Sequence, residues 1–306
     1  MARKRKGRSV HGILLLDKPL GLTSNAALQK VKQLFKAQKA GHTGSLDPLA
    51  TGLLPICLGE ATKITSYLLD SDKKYQGIAK LGQRTNTADA EGHVLETRAV
   101  PILSDSTIEM ALDSFRGEIS QIPPMHSALK QNGKPLYELA RQGIEVERKP
   151  RNVTIFELKK LAFEHDELEL FVHCSKGTYI RTLAEDIGEI LECGAHLKSL
   201  RRVAAGPFDI KQTITLDKLI EIAESDTEFE QLDNLLLPMH SALVGWPEIN
   251  LTANSAYYVR QGQPVLVPKA PSNGWVCLMG EKPDDFIGIG HILDDGRVAP
   301  KRLVNL

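Results

Sequence analysis

A chain of 306 residues can bury one large core, or a catalytic body of about 200 residues with a smaller attached domain, and is longer than a lone binding module requires. Its 38 Lys plus Arg balance 38 Asp plus Glu, with 25% charged and 42% apolar residues, a folded-globule composition that excludes both a disordered chain and a uniformly basic one. Zero net charge leaves a nucleic-acid ligand open, because partners respond to local potential and not to the sum. The four cysteines, Cys57, Cys174, Cys193 and Cys277, show no CxxC pair and no metal-ligand spacing, which fits a reducing compartment and a cytoplasmic protein. Near the start, the apolar run Ile13 to Leu16 is too brief for a signal-peptide core or a membrane span.

In chain order, residues 1–42 come first, with ten Lys or Arg against the single Asp17, a local balance of +9 suited to a polyanion or to solubility. Ser24 to Phe35 is predicted helical: Ala27, Val31, Leu34 and Phe35 share a face, and Thr23 or Ser24 can cap it. A capping-box pattern, Ser106-Thr107-Ile108-Glu109, predicts a second helix that ends before Gly117. Residues 117–150 are irregular and basic, with Pro123-Pro124, Lys130, Lys134, Arg141, Arg148 and Lys149 and one short helical stretch near Leu136 to Ala140, the pattern of a surface excursion.

Leu168, Leu170, Val172 and Cys174 alternate with less apolar residues as in a strand with one better-buried face. The period then changes. Ile180, Leu183, Ala184, Ile187 and Leu191 recur at helical spacing until Gly194, so Ser175 to Thr178 is a turn between strand and helix. Residues 217–233 carry seven acids against Lys218, a balance of −6 expected of an acidic linker or solvated helix. From Tyr257 to the end, short apolar runs broken by glycines predict a compact β-rich appendage, with the boundary near residue 248. The whole predicts an α+β fold: a mixed, mainly antiparallel sheet with helices, followed by a small β-rich domain.

The densest chemical signal is Gly41-His42-Thr43-Gly44-Ser45-Leu46-Asp47-Pro48-Leu49-Ala50-Thr51-Gly52. Flanking glycines and a fixed proline shape this loop, while an imidazole, a carboxylate and three hydroxyls equip it for chemistry. Asp47 can be a nucleophile or general base, or can simply accept backbone hydrogen bonds within its loop.

That loop, the preceding run from Gly12 through Asp17-Lys18-Pro19 to Ser24, and the later segments Ser71 to Tyr75, Cys174 to Thr182 and His196 to Arg202 together resemble the bacterial tRNA pseudouridine synthase B family. The resemblance covers most of residues 10–245 with the motifs in order. A weaker one, through Val259 to Val265 and Gly288 to Gly290, relates residues 248–306 to the small RNA-binding PUA-like domain often appended to pseudouridine synthases. It implies a basic tail at 1–9, a catalytic domain at 10–247 that includes the 117–150 excursion as an RNA contact, and an RNA-binding domain at 248–306. Two positions depart from the family's usual spelling: Ser45 replaces a common alanine, and His126 a usual tyrosine.

The implied activity is conversion of uridine 55 to pseudouridine in the TΨC arm of tRNA. The implied catalytic residue is Asp47, with Arg181 as its basic partner, Tyr75 against the target base and Leu200 walling the pocket. His42 is implied beside the RNA that must be opened. Lys18, Lys130, Arg141, Lys176, Arg202 and Arg302 are candidate RNA contacts. Asp47 can begin the reaction by attacking the ribose or the base, or by abstracting a proton; the same carboxylate serves each route. No nucleotide-cofactor glycine motif or ordered metal-ligand cluster is present in the sequence, so neither a redox cofactor nor a catalytic metal is expected, and no membrane association or obligate protein partner. Two other functions share these features: a related isomerase acting on another RNA, and an RNA-folding or RNA-binding protein that does not need its pocket.

Overall fold

A computed structural model of the chain describes residues 7–127, 129–131, 133–282 and 285–305. The cations at positions 3 to 6 lie outside the described residues. Strand β1 (Gly12–Lys18) leads through helix α1 (Ser24–Leu34) to β2 (Ala40–His42) and β3 (Ala50–Leu58), with α2 (Thr65–Leu69) beyond. Next come β4 (Lys73–Leu81), the hairpin of β5 (Gln83–Thr85) and β6 (Val94–Thr97), α3 (Asp105–Asp113) and β7 (Gly117–Gln121). A second small hairpin, β8 (Lys130–Gln131) with β9 (Lys134–Pro135), precedes α4 (Leu136–Arg141). The long pair β10 (Arg151–Glu164) and β11 (Glu167–Cys174) follows, then α5 (Ile180–Ile190), β12 (Ala195–Ala205), β13 (Phe208–Asp209), β14 (Ile214–Thr215), α6 (Leu216–Ser225) and α7 (Glu230–Asp233).

These strands build one mixed sheet of ten in the order β14-β1-β3-β12-β4-β11-β10-β7, with β2 added beside β3 and β13 beside β12. Only β1 with β14 and β3 with β12 run parallel in it among the described residues. Both faces of its centre are covered, which explains the unbroken apolar spelling of β1. Leu14 and Leu16 face a core shared with α1, α3, α5 and α6, while Ile13 and Leu15 face a second core shared with Met239, Leu243, Phe286 and Ile289. Strand β3 divides in the same way, with Leu54 and Ile56 on one side and Leu53 and Cys57 on the other.

Beyond this sheet, β15 (Glu248–Asn250), α8 (Ala253–Arg260), β16 (Trp275–Met279), β17 (Phe286–Ile292) and β18 (Val298–Leu303) form the β-rich C-terminal unit, a four-stranded sheet in sequence order. It docks on the body through the second core and through two hydrogen bonds, Lys63 Nζ to the Leu303 carbonyl at 2.7 Å and the Asn305 amide to Glu60 Oε2 at 2.8 Å. Among the described residues no helix is long and apolar enough to cross a membrane.

Helix α1 starts where its cap predicts, Thr23 Oγ1 accepting the Ala26 amide at 3.0 Å, and buries Ala27, Leu28 and Val31. Four local expectations are corrected. The second helix is capped by Ser104, which accepts the Thr107 amide at 3.1 Å; Ser106 already lies in its first turn, so the box pattern is offset by two residues. The irregular excursion begins after Gln121, since Gly117–Gln121 pairs with β10 as a sheet edge. Tyr257 and Tyr258 sit in α8, so the C-terminal unit opens with a strand and a helix.

The acidic stretch is no linker. Leu216 and Leu219 of α6 and Leu232 of α7 are in the main core, and buried Asp226 accepts the amides of Glu230 at 3.1 Å and Leu232 at 2.9 Å. Arg8 pairs with Asp233 through both guanidinium nitrogens, at 3.2 and 2.5 Å, and stacks 4.1 Å from the Phe229 ring. The basic entrance and the acidic block therefore meet. Because Leu219 is fully buried, Leu219→Ala should cost about 2–5 kcal/mol in urea denaturation; a loss below about 1 kcal/mol would contradict its place in the core.

Candidate active site

Asp47 lies in the turn between β2 and β3, and the backbone there is fastened on several sides. The Thr43 amide bonds the Pro55 carbonyl at 3.2 Å, the Ala50 amide bonds the Asp47 carbonyl at 3.0 Å, and the Gly21 amide bonds the Pro48 carbonyl at 2.9 Å. Ser24, the first residue of α1, accepts the Leu46 amide at 2.7 Å and donates to the Leu46 carbonyl at 2.9 Å. Glycine is required at position 52: φ is +99°, and a Cβ would stand 2.4 Å from the Arg202 carbonyl oxygen. That close approach lets β3 pair with β12, setting Leu200 opposite Ala50 and Arg202 opposite Gly52. The turn carrying Asp47 is thus anchored beside both residues.

Arg181, in the first turn of α5, reaches the loop with its side chain only 6% exposed. Its Nε is 3.0 Å from Asp47 Oδ2 and its Nη1 is 3.3 Å from Asp89 Oδ2. Nη1 also donates to the Thr87 carbonyl at 3.1 Å, and Nη2 to the His126 carbonyl at 2.7 Å. One planar fork therefore fixes three chain segments, which a lysine ammonium could not reproduce. Burial raises the Asp47 carboxyl above its ordinary value, and the Arg181 charge and hydrogen bond oppose that rise, as does Lys18. The carboxylate is held by a side chain and not by amides of its own loop.

Asp89 and Glu91 were not singled out in the sequence. Asp89 is buried, accepts from Thr87 Oγ1 at 2.6 Å and the Glu91 amide at 3.1 Å, and follows Ala88, whose φ of +58° is unusual for a residue with a side chain. The available signal was local: two acids among small polar residues in Thr85 to Gly92 mark a turn with charge to spare, but its partner lies about 90 residues away in sequence.

Two cavities share Asp47 in their walls. The first, about 360 Å³, is lined by Tyr75, Leu200, Tyr179, Lys73 and Arg202, and the second, about 550 Å³, by His42, Asp89, Glu91, His126, Tyr137 and Arg141. Both have the size of ligand clefts. Tyr75, on β4 between Val172 and Arg202 of the flanking strands, is buried, and burial pushes its phenol up. The first cavity brings Asp47, Tyr75, Arg181 and Leu200 together; His42 lines the second beside Asp47. Among the described residues no group of three or more His, Cys, Asp or Glu is arranged to hold a metal ion.

The expected RNA contacts divide. Lys130 and Arg141 belong to the excursion, Lys130 exposed and Arg141 on the second cavity with its guanidinium 5.6 Å from the Tyr137 ring. Lys176 is exposed and pairs with Asp70 at 2.8 Å, and Arg302 is exposed on β18. Lys18 and Arg202 depart from the expected surface position. Lys18 is fully buried, donating to the carbonyls of Pro19 at 2.9 Å and Leu22 at 2.6 Å, and desolvation brings its pKa down to about 8. Arg202 is 1% exposed and donates to the carbonyls of Leu53 at 2.7 Å and Gly44 at 3.4 Å. Both hold the site from beneath, because their strand positions point them into the sheet's interior.

Residues 32–180 match the model of the TruB family pseudouridylate synthase N-terminal domain, 181–244 that of the tRNA pseudouridylate synthase B C-terminal domain, and 247–304 that of the pseudouridine synthase II TruB C-terminal region. The chain is 57% identical over 306 residues to tRNA pseudouridine synthase B of Yersinia pestis (strain Pestoides F), covering 98% of this chain and 94% of that one. It is 58% identical over 311 residues to the protein of the same name from Aeromonas salmonicida (strain A449), covering 99% and 97%. The chain belongs to the TruB family of pseudouridine synthases. Among solved structures, a chain of a Cbf5-Nop10-Gar1 complex matches with TM-score 0.74 and 26% identity over 95% of this chain and 84% of its own. A chain of an H/ACA RNP bound to a substrate RNA shares the fold, with TM-score 0.75 and 22% identity over 100% and 92%. The TruB-family sheet thus carries the Asp47 turn in this chain at the meeting point of β3, β12 and α5. Arg181→Met should cost about 3–5 kcal/mol in chemical denaturation, because it leaves Asp89 buried without its counter-charge; a loss below about 1 kcal/mol would contradict the pairing.

Proposed function

We propose that this pseudouridine synthase converts uridine 55 to pseudouridine in the TΨC arm of tRNA, with Asp47 as the catalytic residue. The observation that carries the reading is Asp47 in the wall of a cavity of about 360 Å³, paired to Arg181 at 3.0 Å and sharing that wall with Tyr75 and Leu200. A uracil is planar and apolar on its faces, so a tyrosine ring and a leucine suit it once it has left the RNA stack. The reaction cleaves the bond from N1 to C1′, turns the uracil while it stays enclosed, and forms the bond from C5 to C1′. Nothing is added or lost except the relocation of one proton, so the pocket has to position, enclose and stabilise. Asp47 opens the sequence as nucleophile or base, while Arg181 keeps it ionised as water leaves the cavity.

The second cavity suits the opened strand. His42, whose ring burial lowers in pKa toward the neutral form, can occupy space left by the flipped nucleotide, and Arg141 and Lys130 of the excursion can meet phosphates. Within this reading residues 10–247 form the catalytic domain, 117–150 its RNA-contacting region beyond the β7 edge, and 248–306 an RNA-binding PUA-like domain. Phosphate contacts set affinity, and the folded shape of the arm together with the cost of flipping selects the uridine.

Incubation with an unmodified tRNA transcript, followed by chemical mapping of pseudouridine, should place product at position 55. Product only elsewhere would favour a sister specificity, and binding without product would favour an RNA-folding role. Asp47→Asn should keep tRNA affinity within a few-fold while turnover falls about a thousandfold or more; retained turnover would reject Asp47. The carboxylate is the active form, so kcat/KM should fall as pH drops through its pKa. Burial raises that acid limb above the ordinary aspartate value, and a pH profile with no acid limb, or one that Asp47→Asn leaves unchanged, would contradict the assignment.

A further inference from the structure

The two cavities beside Asp47 share a wall made of five residues, Ser45, Leu46, Asp47, Ser127 and Arg181. With the uracil in the smaller cavity and the strand in the larger, the ribose of the target nucleotide must lie against this wall, because it joins the base to the backbone. Asp47 acts at or beside C1′, and the 2′-hydroxyl is attached to the next ring carbon. A group that recognises that hydroxyl therefore belongs on the same wall.

Two of the five residues carry a hydroxyl, and they differ in state. Ser45 is exposed, whereas Ser127 is 4% exposed, and its Oγ is buried without a hydrogen-bond partner among the described residues. Burial pushes the neighbouring Tyr179 phenol up and the Ser127 hydroxyl partly holds it back, but the two oxygens do not meet hydrogen-bond geometry. A buried hydroxyl without a partner is costly and points to a ligand that supplies one. His42 Nδ1 and Thr43 Oγ1 are buried without partners too, but His42 lines the larger cavity alone and Thr43 neither.

The backbone around Ser127 is held from both directions. Its carbonyl accepts the Tyr137 amide of α4 at 3.1 Å, and the preceding carbonyl, of His126, accepts Arg181 Nη2 at 2.7 Å. The hydroxyl is thus carried at a fixed place relative to the pair of Asp47 and Arg181. We infer that Ser127 Oγ is the contact for the ribose 2′-hydroxyl of the target nucleotide, making it a substrate-positioning residue that favours RNA over DNA at the reacting sugar. A serine hydroxyl and a ribose hydroxyl each donate and accept, so they match without a change of protonation. This inference rests on the reading of the smaller cavity as the uracil pocket.

The test compares the full-length wild-type enzyme with Ser127→Ala on two TΨC-arm RNAs, one with uridine and one with 2′-deoxyuridine at the target position. Dissociation constants are measured for both RNAs and kcat/KM for the first. For the uridine RNA, Ser127→Ala should weaken binding and lower kcat/KM by about tenfold, and the deoxy substitution should weaken wild-type binding by a similar factor. The two losses should not multiply: the variant should bind the deoxy RNA as well as the wild type does. Multiplying losses, or no loss in the variant, would overturn the proposal. Since the hydroxyl makes no hydrogen bond among the described residues, Ser127→Ala should keep or raise Tm; a lowered Tm would mark the serine as structural and also overturn the proposal. Wild-type enzyme that makes no pseudouridine in the uridine RNA would instead sink the reading of the pocket beneath it.

Discussion

A single guanidinium faces two carboxylates at the centre of this protein. Arg181, itself buried, lies 3.0 Å from Asp47, whose side chain is 44% exposed toward the cavities, and 3.3 Å from the buried Asp89. Burial and the nearby Asp89 charge both raise the Asp47 carboxyl, and the Arg181 charge opposes them. The arginine keeps both in one arrangement, and its remaining donors go to the carbonyls of Thr87 and His126. Four segments distant in sequence, the Asp47 turn, the 85–92 turn, the 122–127 loop and the start of α5, are thereby joined at one charge. The joint serves folding, since an uncompensated Asp89 would destabilise the core, and the same guanidinium opposes the rise that burial imposes on Asp47.

The scaffold around this joint is stiff where position matters. Strands β3 and β12 bring Leu200 and Arg202 beside the Asp47 turn, and Arg202 ties that turn from beneath through the Gly44 carbonyl. Lys73 forms part of the cavity floor by donating to the carbonyls of Leu69 at 2.7 Å and Ser71 at 2.5 Å, and burial brings its pKa down to about 8. Lys73 and Arg202 line the smaller cavity and place positive charge beside the acids gathered at the site. Fixed charges of this kind need little reorganisation when charge shifts during a reaction. The excursion after Gln121 reaches the same centre by backbone, the His126 carbonyl accepting Arg181 and the next carbonyl, of Ser127, accepting the Tyr137 amide.

Much of this was legible in the sequence, and what was not has physical causes. Local rules located α1 by its Thr23 cap, the turn from β11 to α5 by a change of period, and the Asp47 loop by its glycines and proline. The ordered motifs added Arg181, Tyr75 and Leu200, which the structure gathers around the first cavity beside Asp47. Asp89 was missed because its importance comes from Arg181, far along the chain and across the sheet. Ser127 was missed because an orphaned hydroxyl exists only once the walls around it are built. Lys18 and Arg202 look like surface cations until strand register turns them inward, and the acids of 217–233 look like a linker until Leu216, Leu219 and Leu232 are seen in the core. In each case charge type was readable but direction was not, since direction is set by packing.

The most direct measurement is a structure of Asp47→Asn bound to an unmodified TΨC arm, where turnover is blocked and the substrate can remain in place. The target uracil should lie in the smaller cavity against Tyr75 and Leu200, with C1′ beside residue 47 and the strand passing through the larger cavity by His42. A target base still stacked in its arm, with the smaller cavity holding no nucleotide, would contradict the account.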